Sequence, residues 1–591
     1  MLILVVWACS VVTASANEDW ITYFEKTDSL GTPRYDETLR YFQRLADASP
    51  YAKMMSFGIS PEGRELPLMI ISRHKHFAPD DAQKSGLPVI MIQCCIHPGE
   101  SEGKDAAMLL ARDLLIHKKH SAILEKTILM IIPIFNVDGH ERISPYNRIN
   151  QNGPIEMGWR VTATRLNLNR DFVKADAPEM RAWLRLFDRW KPHLVFDCHT
   201  TDGLDHQYVI AYNIDEHEEF GGAVSAWAHQ EFVPELIRGC ERRGHLIIPY
   251  ADFFDEKDPT KGIRGGVWPP MLSNTYVTVR NRAGVLIETH SLKPYPLRVR
   301  ATYDFLIVAM DYVSMHPQQL IDAVAEEDRY ATQLGTAYDI SIDYPLTYRP
   351  ILEAGEPLLF HGYRFELNEG IISGQPYIKY TNDPVDFPVL FYNLVEPDVE
   401  ITPPLGYLIP PQWTNVIEVL QTHGAPILRL KSTITDTFET YRFTNVELTA
   451  RSIEGRQRAS FKTSPVREEM MFPAGSVFVP MGVPESKLIM QALEPQASAS
   501  LIGWGFFNTI FEQKEYFETY VMEPLAQQMA AEDEALKIEF EKKLSSDSSF
   551  AANPRARLQF FYERTPYQDR EKDRYPIARI IRSLPVELVK E

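Results

Sequence analysis

Between about residues 60 and 310, short apolar runs alternate with stretches of helical periodicity, a pattern that few architectures can satisfy. The runs cover 66–72, 88–96, 127–135, 193–198, 208–212 and 285–288, and are rich in Val, Ile and Leu. Continuous apolar runs of strand length need cover on both faces, which is the condition of a parallel sheet wrapped by helices. After the second run, Ala106, Leu109, Leu110, Leu114 and Leu115 recur at three- and four-residue spacing, so 104–118 is predicted to be an amphipathic helix with one face on the sheet. The expected fold class of this half is α/β, with a largely parallel sheet.

At 591 residues the chain exceeds what one core serves, and two to four domains are expected from roughly 150 residues each. From about 330, Pro and aromatic residues become frequent and strands look short and alternating, so a β-rich accessory domain is predicted over 326–490. The stretch 513–546 is charged and helical, with Tyr516, Tyr520, Met522, Leu525, Met529, Leu536 and Phe540 as an inward stripe, so 491–591 is read as mostly helical. Residues 1–16, MLILVVWACSVVTASA, form an apolar segment ending in small residues, the pattern of a signal peptide. A secreted or periplasmic protein is therefore expected, with 17–325 as the catalytic domain. No later run approaches ~20 apolar residues, so no membrane span is expected in the mature chain. With 61 Lys and Arg against 80 Asp and Glu, a net charge of -19, and no basic run, nucleic acid is not an expected partner. Cys94, Cys95, Cys198 and Cys240 match no zinc-binding spacing and are read as small buried hydrophobes.

Chemistry concentrates at the ends of the apolar runs. His97-Pro98-Gly99-Glu100 follows one run and precedes the predicted helix, and in α/β sheets such strand-to-helix loops open onto a crevice. His199, in the segment FDCHTTD, closes a second run. Two His and one Glu make a common protein ligand set for catalytic zinc, leaving a position for water. Glu288 closes a third run, where a carboxylate is costly without a partner, and beside a metal it suits a general base; His290 is an alternative ligand. Arg160, Asn169 and Arg170, in the segments GWR and NLNRD, are groups that grip carboxylates and oxyanions.

The order HPGE, PIFNVDG, GWR, NLNRD, DCHT and LIE resembles the M14 zinc carboxypeptidase family over about residues 50–310, with the extra length of a long bacterial type. The resemblance implies a mixed, mostly parallel sheet flanked by helices and one zinc ion held by His97, Glu100 and His199. It also implies Glu288 as general base to the zinc-bound water, Arg160 as oxyanion donor, and Asn169 and Arg170 as the grip on a substrate's terminal carboxylate. The family's mobile Tyr has its nearest candidate in Tyr276. The expected reaction is removal of the C-terminal residue of peptides, cell-wall peptides included. The alternatives are a zinc-dependent N-acyl amino acid deacylase and a non-catalytic binding protein on the same fold. Side-chain preference and oligomeric state stay open.

Overall fold

The computed structural model describes residues 20–585 and 587–590, so the signal-peptide reading over 1–16 lies outside the described residues. Its strands in the first half are β1 (Ala52–Ile59), β2 (Glu65–Ile71), β3 (Val89–Cys94), β4 (Ile128–Ile132), β5 (Leu194–Thr201), β6 (Ile210–Ile214), β7 (Ile247–Pro249), the short β8 (Asp252–Phe253) and β9 (Ile263–Arg264), and β10 (Ala283–His290). Every residue of β3 and β4 is buried, as their unbroken apolar sequences require. Eight strands form one sheet in the order β1-β2-β4-β3-β5-β10-β6-β7. Its centre, β4-β3-β5-β10, is parallel, while β1, β2 and β6 pair antiparallel with their inward neighbours. The sheet is thus mixed and flanked by helices, in agreement with the expected class.

The helix after β3 spans Glu102–Leu115, starting and ending slightly earlier than the periodicity suggests. Its approach to the sheet depends on Gly103, where an added Cβ would lie 3.0 Å from Cys198 Sγ and 3.3 Å from Cys94 Sγ. Cys94 and Cys198 are register partners across β3 and β5, and the four cysteines among the described residues are buried and free, so they act as small core residues.

The accessory half departs from its expected form. The strands there are β11 (Tyr344–Pro350), β12 (Glu356–Asn368), β13 (Tyr377–Tyr392), β14 (Val395–Ile401), β15 (Gly406–Ile409), β16 (Leu428–Leu430), β17 (Ile434–Leu448), β18 (Ala459–Phe472), β19 (Val477–Pro480), β20 (Ala578–Ile580) and β21 (Leu588–Lys590). Four of them are long, with 13 residues in β12, 16 in β13, 15 in β17 and 14 in β18. The β12–β13 hairpin joins β8 and β9 of the first half in one sheet, and a seven-stranded sheet runs β18-β17-β20-β15-β19-β16-β21. The last hundred residues are therefore not helical alone, since they supply β20 and β21. Along the helices Thr519–Glu532 and Glu534–Ser546, Met522 is buried and Leu525, Met529, Leu536 and Phe540 pack beside it. Tyr516 and Tyr520, at 71% and 78% exposure, leave that stripe. The expected boundary at 325/326 falls inside the helix Pro317–Gln333, whose Glu327 forms a buried ion pair with Lys487.

One buried group in this fold carries a measurable liability. Glu179, in the first turn of the helix Pro178–Trp190, is fully buried and neither carboxylate oxygen has a partner. Burial, with Asp138 and Asp171 nearby, pushes its pKa up to about 7. The folded state therefore holds this proton more tightly than the unfolded chain, and the associated stability is lost as pH rises from about 4.3 through 7. Glu179→Gln is expected to remove that dependence, gaining on the order of 1–3 kcal/mol relative to the parent between pH 5 and pH 8. Denaturant titrations at both pH values check this, and parallel losses in the two proteins would refute it.

Candidate active site

The site lies at the carboxyl ends of the parallel strands, where sheet register decides which side chains meet. Across β5 and β10, His199 is the register partner of Glu288, and Asp197 that of Leu286. Across β3 and β5, Gln93 is the partner of Asp197. Side chains alternate along a strand, so Asp197 and His199 share one face, with Gln93 beside the first and Glu288 beside the second. His97 and Glu100 come from the loop after β3. That loop is held close to the segment carrying Arg160 through Gly158, where a Cβ would sit 2.5 Å from Pro98 Cβ and 2.7 Å from His140 Cα.

His97, Glu100 and His199 each present one ligand atom, all within 4.8 Å of one another, and all three residues are buried. His97 Nδ1 lies 3.1 and 3.2 Å from the two Glu100 oxygens, and His199 Nδ1 lies 2.9 Å from Glu100 Oε2. The opposite ring nitrogens are committed: His97 Nε2 donates to Asn167 Oδ1 at 2.9 Å, and His199 Nε2 to Asp197 Oδ2 at 2.8 Å. In the neutral form that binds metal, both histidines would turn an Nδ1 lone pair toward the Glu100 oxygens, where a shared cation would satisfy all of these acceptors. Two imidazoles and a carboxylate are a donor set suited to zinc, so the residues fit the ion.

Electrostatics follow from this crowding. Burial would raise the Glu100 carboxyl, but His97, Arg148 and His199 outweigh it and hold it well below the usual carboxylate range. Burial pushes His97 down to about 4, whereas Asp197 and Glu100 overcome burial at His199 and hold it well above its ordinary value. Glu288 is pushed up to about 8 by burial and by neighbouring carboxylates, and its Oε2 has no hydrogen-bond partner. Positive charge bound among these carboxylates would draw it back down.

Around this cluster is a cleft of about 460 Å³. Arg148, Arg160, Asn169 and Arg170 line it, together with Tyr250 and an apolar wall that includes Trp268, Met271, Leu272 and Leu286. Arg148 donates to Glu100 Oε1 at 2.7 Å; Arg160, with its side chain 44% exposed, reaches the same oxygen at 3.5 Å. Asn169 Oδ1 accepts from the Ser273 backbone N–H at 3.0 Å, and Arg170 donates to the Asn169 carbonyl at 2.7 Å. Of the residues singled out from the sequence, His97, Glu100, Arg160, Asn169, Arg170, His199 and Glu288 come together here. His290 does not: its ring donates to the Leu204 carbonyl at 3.1 Å and lies against His206.

Tyr276 is also elsewhere, correcting the expectation that its phenol serves the cleft. It is fully buried among Phe172, Trp183 and Phe187, and its hydroxyl bonds His423 Nδ1 and the Arg280 guanidinium, each at 2.9 Å. The phenol that does line the cleft is Tyr250, just past β7, whose pKa is pushed up to about 12 by burial and by Glu288. Tyr250 and Arg148 escaped sequence reasoning because nothing in their spacing marks them, and Asn167, though inside the NLNRD segment, was not singled out from it. Asp197 was detectable, two positions before His199 and so on the same strand face.

Residues 38–212 match the sequence profile of the zinc carboxypeptidase family, peptidase M14. Carboxypeptidase 2 of Trichophyton rubrum is 22% identical over 499 residues, spanning 81% of this chain and 85% of its own. Carboxypeptidase 2 of Trichophyton equinum is 22% identical over 501 residues, spanning 81% and 85%. Among solved structures, carboxypeptidase A of Helicoverpa armigera is similar over 54% of this chain and 81% of its own, at 16% identity and a TM-score of 0.34. The metallo-carboxypeptidase of Pseudomonas aeruginosa, solved with (2-guanidinoethylmercapto)succinic acid, is similar over 48% and 69%, at 15% identity and a TM-score of 0.35.

Proposed function

We propose that the chain is a zinc carboxypeptidase of the M14 kind, the family matched over residues 38–212, and that it releases the C-terminal residue of peptides, with Glu288 as proton acceptor and a single ion at His97, Glu100 and His199. The observation that carries this reading is the placement of Glu288: a carboxylate with an unpartnered oxygen, register-paired with His199, facing a cleft lined by guanidinium groups. Bound there, zinc supplies Lewis acidity and lowers the pKa of a coordinated water.

The chain's own residues account for the rest. Glu288 takes a proton from the attacking water and delivers it to the departing amine. Arg160, reaching from solvent toward Glu100, offers donors where negative charge develops on the carbonyl oxygen. Asn169 and Arg170 grip the terminal carboxylate, with burial and the neighbouring Arg160 weakening Arg170's hold on its own proton without discharging it. Trp268 and the apolar wall exclude water from one side of the cleft. A secreted or periplasmic location goes with this reading, supported by the apolar segment 1–16.

The test pairs peptides having free and amidated C-termini. Only the free acids are expected to be cleaved well, and Arg170→Ala is expected to raise KM for them by about 10- to 100-fold, the loss of a charge-assisted grip. Equal cleavage of amidated peptides would defeat the exopeptidase reading, and preferential hydrolysis of N-acyl amino acids would replace it with deacylation.

A further inference from the structure

The accessory half reaches the segment that carries Asn169 and Arg170 through the turn of the β17–β18 hairpin. Ile453 and Arg456 close that turn with mutual backbone hydrogen bonds of 2.8 and 3.0 Å. The two residues between them, Glu454 and Gly455, have φ of +50° and +79°. Left-handed conformation at both central positions is the type I′ pattern, whose first position ordinarily holds Asn, Asp or Gly. A Glu there is an unfavourable local choice, so its side chain is where a compensating contact belongs.

That contact is to the active site. Glu454 Oε2 accepts from the Asn167 backbone N–H at 2.8 Å. Asn167 is the residue whose Oδ1 receives both His97 Nε2–H at 2.9 Å and the Asn169 backbone N–H at 3.0 Å. Three residues further along the segment comes Arg170, whose charge Glu454 also stabilises. Two positions past Glu454, Arg456 makes a double hydrogen bond to Asp176, at 2.7 and 2.6 Å, while its guanidinium lies 3.5 Å from the centre of the Phe506 ring. The hairpin turn therefore clamps 167–176 at both ends, Glu454 at the start and Arg456 at the finish.

We propose that Glu454 is a positioning residue of the active site, supplied by the accessory half, which fixes the Asn167 backbone so that Asn169 and Arg170 meet the substrate's carboxylate in a set geometry. The accessory sheets thereby become part of substrate recognition, and the proposal rests on the carboxylate-gripping role of Arg170. Glu454 touches neither the reacting bond nor the metal cluster, so its effect falls on binding.

The experiment uses the full-length, zinc-loaded protein and a peptide with a free C-terminus. Glu454→Ala is expected to raise KM by about 10-fold, the loss of one hydrogen bond to a charged acceptor, with kcat and zinc content near those of the parent. Glu454→Gln, which keeps an acceptor oxygen, is expected to recover most of that KM. Arg170→Ala is measured alongside. A KM rise in Arg170→Ala without one in Glu454→Ala overturns the positioning role while leaving the carboxylate grip intact. An unchanged KM in Arg170→Ala overturns the grip itself. A Glu454→Ala protein that loses thermal stability and kcat together, with KM unmoved, shows a purely structural hairpin and also overturns the proposal.

Discussion

Glu288→Gln is expected to bind zinc as the parent does and to lose turnover by about 10²- to 10⁴-fold, the usual worth of a positioned general base. The substitution is close to isosteric and keeps an oxygen that can accept a hydrogen bond, so the local packing should survive. What disappears is the capacity to take a proton. Glu288 is not one of the three residues whose ligand atoms converge, although it lines the same cleft, so metal content should not change. Metal analysis and steady-state kinetics on the same preparation separate the roles: zinc lost along with activity would make Glu288 a ligand, and activity retained would move the base elsewhere. Tyr250, the cleft phenol near Glu288, would then be the group to replace next.

The parallel centre of the sheet was legible in the sequence because its strands are buried on both faces, which leaves no room for polar residues until the strand ends. The same feature made the site legible: a His or Glu terminating such a run has few structural uses, and His199 and Glu288 meet through strand register alone. The accessory half gave no such signal. Most of β12 and β13 is exposed or half-exposed on both faces, so little apolar alternation reveals a strand or its length. β20 is three residues long and owes its place between β17 and β15 to partners more than a hundred residues away. Tyr276 was misplaced for a related reason. Distance along the chain from Glu288 says nothing about direction, and the helix Ser273–Val279 turns this phenol into the core toward His423, itself contributed by the accessory half. Sequence reasoning worked where a local pattern dictates which side chains share a face, and lost its hold where distant segments do.

Removing the metal should silence the enzyme completely, and the way affinity depends on Asp197 tests whether the cluster is built as described. His199→Ala deletes one of three ligands, so activity should fall to background and zinc should be absent after dialysis. Asp197→Asn is the finer change. Asp197 receives His199 Nε2–H at 2.8 Å and is itself held by Gln93 Nε2 at 2.9 Å, in a face of the sheet where all three are buried. The carboxylate fixes the ring so that Nδ1 faces Glu100, and it makes that nitrogen a stronger donor to a cation; support of this kind is worth about 10- to 100-fold in metal affinity. Asn can still accept the same hydrogen bond but carries no charge. Zinc affinity should therefore drop within that range while kcat at saturating zinc stays near the parent's. A competition titration against a chromogenic chelator reads the first quantity, and activity in excess zinc reads the second. Unchanged affinity would mean that His199 is oriented by its strand alone, and an Asp197→Asn protein inactive even in excess zinc would place Asp197 within the chemistry itself.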